Sequence, residues 1–204
     1  MVKILQDLKL TVIASLVLTV VLIIVLWAWY PGVFPKFEHK WWSHLFRWMH
    51  VAGGIMWIGH LYYFNFTQAP TVPKIPPELR PAIPRFILPE ALFWFRWGAM
   101  WTIVTGLILA WMMGYIGQAI LLGLTSGQAA HTSIGIGMWL GAIMWFNVWF
   151  IIWPNQKKVM GLTPADDAAK AAAGRTASLV SRANTLLSLP MLYCMTSLSM
   201  PKLF

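Results

Sequence analysis

Apolar residues in this chain come in runs too long to be one face of a soluble helix. Between Leu10 and Tyr30 only Thr11, Ser15 and Thr19 interrupt the first run, and four further runs follow it. A hydrocarbon layer of about 30 Å takes about 20 helical residues to cross, and in lipid a helix satisfies its own backbone groups. The pattern therefore predicts helices over about 9–30, 43–66, 91–117, 131–153 and 177–199. Pro31 and Pro35 are expected to close the first helix and Pro154 the fourth. The segment Gln68 to Pro89 carries Pro70, Pro73, Pro76, Pro77, Pro81, Pro84 and Pro89, too many missing donors for a helix, and reads as a stiff extramembrane loop. Pro164-Ala-Asp-Asp opens an alanine-rich stretch to Gly174 that reads as a short surface helix capped by its two aspartates. The first run is too long for a signal-peptide core and no small-residue cleavage site follows it, so it reads as a retained helix. The expected fold is an all-α integral membrane protein: one transmembrane domain over 1–204, a bundle of about five transmembrane helices.

Composition strengthens that reading. Of 204 residues 59% are hydrophobic and 10% charged, where a soluble domain carries about 25% charged residues. Fourteen tryptophans gather near the ends of the runs, as amphipathic indoles do at the headgroup level. The net charge of +9 lies between the apolar runs rather than in a stripe, which argues for membrane topology and against nucleic acid. Lys3, Lys9, Lys74, Arg80, Arg85, Arg96, Lys157, Lys158, Lys170, Arg175 and Arg182 fall on one side of the alternation; Lys36, Lys40, Arg47 and Lys202 fall on the other. The positive-inside rule then predicts a multi-pass protein with its N-terminus in the cytoplasm and its C-terminus outside. The single Cys194 excludes an internal disulfide and a C-x-x-C-H attachment of c-type haem.

Ionisable groups inside a span are costly and mark candidate sites. In this topology His50 lies about two turns into the second helix, and His131 starts the fourth helix in the same outer leaflet. Two imidazoles from two helices suit a haem b or a metal ion, with Gly53 and Gly54 leaving room beside His50 for a flat macrocycle or for another helix. The same histidines also suit plain hydrogen bonding at the interface, as His39 and His44 do at the helix start. A second cluster is expected in the inner leaflet: His60, Asn65, Arg96, Asn147, Arg182 and Asn184. Arg96 and Arg182 there suit carboxylates such as haem propionates, or else snorkel to headgroups. His60 is turned about 80° from His50 and lies about 15 Å along the helix, so one haem cannot take both. Six acidic residues, none in an expected span, leave no carboxylate pair for acid–base chemistry. No glycine-rich phosphate loop is present.

The segments that carry these groups resemble a known family. Leu45-Phe-Arg-Trp-Met-His-Val-Ala-Gly-Gly-Ile-Met-Trp-Ile-Gly, closing with Tyr62-Tyr-Phe, is similar to the His-x-x-x-Gly-x-x-Trp-x-Gly helix of the membrane N-terminal domain of membrane-bound bacterial urate oxidases. Asn147-Val-Trp-Phe-Ile-Ile-Trp-Pro-Asn-Gln-Lys-Lys resembles that family's second hallmark, and Arg182-Ala-Asn-Thr-Leu-Leu-Ser-Leu-Pro-Met-Leu its third. The chain reads as a short form without the cytochrome c domain of longer members. It departs from the family at Asn184-Thr and Ser197-Leu-Ser-Met-Pro201, where a histidine is missing, and His60 is an addition. The His-x-x-x-Gly-x-x-Trp pattern is also similar to haem-associated membrane protoporphyrinogen oxidases. The resemblance implies a membrane redox protein with haem b at His50 and a redox partner. The alternative is a cofactor-free accessory subunit packed against a larger respiratory, photosynthetic or monooxygenase complex.

Overall fold

The computed structural model describes residues 2–29 and 37–197, and among these every element of regular structure is helical. The chain divides into two compact units, Met1–Trp42 and Ser43–Phe204. In the first, a short turn of helix, Val2–Gln6, precedes α1, Leu8–Trp29. Asp7 caps α1 by accepting from the Leu10 amide (3.2 Å). No residue of α1 is buried. Pro31 and Pro35, expected to close it, lie outside the described residues. Phe37 stacks edge-on against Trp27 and Trp41, with ring centroids 6.2 and 5.2 Å apart.

The second unit holds the remaining helices: α2, His39–Tyr62, which starts in the first unit; α3, Leu88–Met112; α4, Ile116–Ile120; α5, Ala129–Phe146; α6, Trp153–Val159; and α7, Asp167–Thr196. Its core is Trp57 and Leu61 of α2, Leu92, Phe95 and Ala99 of α3, Met144 of α5 and Met191 of α7. The seam between α2 and α3 is set by glycine. A Cβ on Gly53 would meet Trp101 and Thr102, one on Gly98 would stand 3.1 Å from the Trp57 amide nitrogen, and one on Gly106 would collide with His50. Without Cβ atoms the two backbones approach closely, the usual basis of helix association in lipid.

Several expected boundaries are corrected by what the prolines do. Pro154 does not end the fourth helix: α5 passes through a π-helical turn, Asn147–Ile152, and continues as α6. The segment Gln68 to Pro89 is not one extended loop. α2 runs on through a π-helical turn, Tyr63–Gln68, into Ala69–Thr71 and Val72–Lys74, and α3 is preceded by another, Ile83–Ile87. Only turns over 75–81 remain between them, tied by Arg80, which donates to the carbonyls of Ile75 (2.8 Å) and Pro73 (2.9 Å).

Each π turn ends two residues before a proline: Pro70, Pro89 or Pro154. The residue just before each proline donates five residues back, Ala69 to Phe64, Leu88 to Ile83 and Trp153 to Val148. A proline ring clashes with the carbonyl four residues back in an α-helix, and the wider turn moves that carbonyl aside. The helix then survives the proline.

The third helix ends at Met112 rather than 117, because Gly114 takes a left-handed φ of 77°. The fifth begins at Asp167, not 177, so the alanine-rich stretch is its first turns rather than a separate helix. Asp166 caps it by accepting from the Ala169 amide (2.7 Å).

Among the described residues three stretches are long and apolar enough to cross a membrane: Leu8–Trp29, Ile83–Met112 and Ala129–Val159. α2 and α7 have the length, but Lys40, His44 and Arg47 in one, and Lys170, Arg175 and Arg182 in the other, make them more polar. Five long helices are thus present among the described residues, of which three carry a spanning composition.

Candidate functional site

His50 is half-buried on α2, facing α3 across the glycine seam. Its Nδ1 donates to the Thr102 carbonyl at 2.8 Å. A carbonyl only accepts, so in the neutral ring the proton sits on Nδ1 and the lone pair on Nε2, the arrangement a metal-ligating imidazole adopts. Gly106 makes the ring's position attainable, since a Cβ there would lie 2.7 Å from Cε1 and 2.8 Å from Nδ1. Thr102 and Gly106 were not singled out in the sequence; a glycine and a threonine four apart on one helix are too common a pattern to point to a histidine. Gly53 is filled by α3 as described, while a Cβ on Gly54 would meet only Thr102 Cγ2, at 4.0 Å.

His131, in the first turn of α5, pairs through Nδ1 with the Ser126 hydroxyl (2.9 Å) and lies over the Tyr115 ring, with centroids 6.4 Å apart. His50 and His131 thus have separate partners, and no hydrogen bond or ring contact joins them. Tyr115 follows the end of α3, and burial raises its phenol pKa against a smaller opposing effect of Arg47.

The inner-leaflet cluster resolves into three parts. The first is a polar seam joining α2, α5 and α7. Asn184, fully buried, accepts from Asn147 Nδ2 (2.8 Å) and donates to the Met144 carbonyl (3.0 Å). Asn65 donates to Ser181 Oγ (2.8 Å). The Ser188 hydroxyl is committed to the Thr185 carbonyl (2.7 Å), so Tyr62 donates its phenol proton to Ser188 (3.0 Å). These groups satisfy one another and hold the helices together.

The second part is Arg96, which is held by aromatic rings rather than by an acid. Its guanidinium carbon stands 3.4 Å from the centre of the Trp153 ring and 5.4 Å from that of Trp149, and Nε donates to the Leu92 carbonyl (3.3 Å). Trp149 is presented by the π turn that precedes Pro154, so that turn builds the cage. Arg182 is exposed on α7 and does not join Arg96 in a hydrogen bond or ring contact.

The third part is a groove of about 580 Å³ between α2 and the start of α3, onto which His60 and Glu90 both face. His60 Nδ1 donates to the Met56 carbonyl (2.7 Å). Glu90, one residue before the expected start of the third helix, lies in the first turn of α3 and within the stretch Ile83–Met112. Among the described residues no group of three or more His, Cys, Asp or Glu side chains gathers as a metal site.

The second-half geometry, with the Asn147 to Asn184 bond and the Trp149/Trp153 cage, is where a family pattern is found. Residues 118–204 match the urate oxidase N-terminal family. The urate oxidase N-terminal match takes in His131, Asn147, Trp153, Arg182 and Asn184 and leaves residues 1–117, with His50, His60, Glu90 and Arg96, outside it. No curated protein and no solved structure matches the chain. Two of the three resembling segments therefore lie inside the urate oxidase N-terminal match, and the His50 segment rests on its own residues.

Proposed function

We propose that this chain is a multi-pass redox protein of the bacterial inner membrane, with five spanning helices and a cytoplasmic N-terminus, that holds a haem b through His50 and exchanges electrons with a partner. The observation that carries the reading is the Nδ1 bond from His50 to the Thr102 carbonyl, which leaves Nε2 free as a ligand inside the bundle. Haem b would supply one-electron chemistry there. The protein's own part is to fix the imidazole: α3 sets the tautomer through Thr102 and the ring plane through Gly106, and the close seam keeps water away. His131 is the proposed opposite ligand. Arg96 remains cationic within its tryptophan cage and is the proposed partner for a propionate, with Arg182 at the same face. The family's name connects this role to the oxidation of a purine.

Detergent-purified protein should show a Soret band and a reduced-minus-oxidised α-band, with haem b by pyridine haemochrome. His50→Ala should abolish the haem, and His131→Ala should leave a five-coordinate, high-spin spectrum. A His50→Ala protein with a full low-spin spectrum would overturn the assignment. A colourless chain that purifies with fixed partners would favour an accessory subunit of a larger complex.

A further inference from the structure

We infer that the groove between α2 and the start of α3 binds a quinol-type lipid, a flat ring carrying two hydroxyls on an apolar tail. The inference deepens the redox reading by naming a partner, but the binding stands on the groove itself. One wall comes from α2, where Ala52, Gly59, His60 and then Tyr63 face the space; the other comes from the beginning of α3, with Glu90 and Trp94. From Ala52 to Tyr63 the wall is about 16 Å long. Its polar groups gather at the end next to the turns over 75–81, and the rest is apolar. A ligand with a polar head and an apolar tail matches that gradient.

The head chemistry follows from the two titratable groups. Because His60 gives its Nδ1 proton to the Met56 carbonyl, Nε2 of the neutral ring turns a lone pair outward. Glu90 makes no ion pair among the described residues, and no lysine or arginine lines the groove. A carboxylate suits the first turn of a helix, which accounts for its tolerance there, but its oxygens still want donors in an apolar setting. Two acceptors on opposite walls call for a ligand with two donors. Tyr63 and Trp94 add aromatic surface to the lining on which a flat ring can lie. A para-diol meets all three demands. The oxidised quinone offers only acceptors and should bind less well, and a phospholipid phosphate would be set against Glu90.

Gly59 provides a test that leaves the fold alone, since a Cβ there meets nothing within 4 Å. The protein is placed in phosphatidylcholine nanodiscs and titrated with a short-tailed benzoquinol kept under argon, against empty nanodiscs. Saturable binding is expected, weaker for the quinone. Gly59→Leu should fill the groove and weaken binding at least tenfold, and Glu90→Gln or His60→Leu should each weaken it about tenfold, the scale of one hydrogen bond to a charged or buried acceptor. Circular dichroism checks that each variant is folded. Absence of saturable binding, or wild-type affinity in folded Gly59→Leu and Glu90→Gln, overturns the proposal, as does equal displacement by phosphatidylethanolamine. The haem spectrum of the same samples separates the readings: a coloured protein that binds no quinol fails the groove alone, and a colourless one that binds it fails only the haem.

Discussion

A single missing methyl decides where the His50 ring can lie. Alanine at 106 would gain about 1 kcal/mol of helix propensity over glycine, but its Cβ would stand 2.7 Å from the imidazole. Overpacking of this kind costs about 1–3 kcal/mol. Gly106→Ala is therefore expected to push the ring off the Thr102 carbonyl, lower thermal stability modestly and remove or alter the haem signal, with Gly117→Ala, whose Cβ meets nothing within 4 Å, as the unaffected control. Melting curves and absorption spectra of both variants check it. His50 was legible as a polar group within a helix because it stands in a long, mostly apolar run, but its partner Thr102 was not. Glu90 was not, because the proline-rich approach to α3 placed the helix start at 91, one residue too late to include it. Asn147 and Asn184 were legible as neighbours in one leaflet, but not as each other's partners: an amide that will satisfy another amide looks the same in a sequence as one that awaits a ligand.

At the scale of elements, the boundaries failed at Pro154 and in the proline-rich segment before α3, where prolines were read as stops. The rule that proline breaks a helix assumes an α-helical register before it. A π turn two residues upstream removes that assumption, and such a turn has no compositional mark, as Tyr63-Phe-Asn-Phe-Thr-Gln and Asn147-Val-Trp-Phe-Ile-Ile show by sharing little beyond aromatic content. The contact of α5 with α4 was not legible, because α4 was unforeseen. Gly135 lies so near the Ala119 carbonyl of α4 that a Cβ would overlap it. Gly135→Ala should cost about 1–3 kcal/mol through displaced backbone. A fall in the denaturation midpoint of the purified protein in detergent is the expected readout. An unchanged midpoint would mean that α4 yields without cost.

For the whole molecule the outstanding quantity is orientation. Of the basic residues between 37 and 197, Lys74, Arg80, Arg85, Arg96, Lys157, Lys158, Lys170, Arg175 and Arg182 fall on one side of a five-span path, with Lys40 and Arg47 on the other. In a Cys194→Ser background, cysteines at Lys74 and Lys170 should both resist an impermeant reagent in intact cells and react in inverted vesicles. Labelling of both in intact cells reverses the assignment. Labelling of one alone removes a span from between them. Composition made the membrane class legible at once. The number of spans was harder, because α2 and α7 carry charges toward one end, Lys40 and Arg47 in one and Lys170 and Arg175 in the other, which dilute their apolar character, whereas α1 carries only Lys9.

The continuation of α5 through Pro154 makes the stretch Ala129–Val159 31 residues long, about 46 Å of helix. A hydrocarbon core is about 30 Å thick, and a tilt of about 20° shortens the helix's vertical reach only to about 43 Å. Spanning the bilayer, such a helix leaves about 13 Å clear of the hydrocarbon, enough to hold the seven-residue α6. α6 carries Lys157 and Lys158 together with Trp153, the ring beneath Arg96. Hydrophobic mismatch thus bears directly on the arginine cage: a thicker bilayer draws Trp153 toward the acyl chains and a thinner one exposes it, so membrane thickness becomes a control on how far the Arg96 charge is shielded.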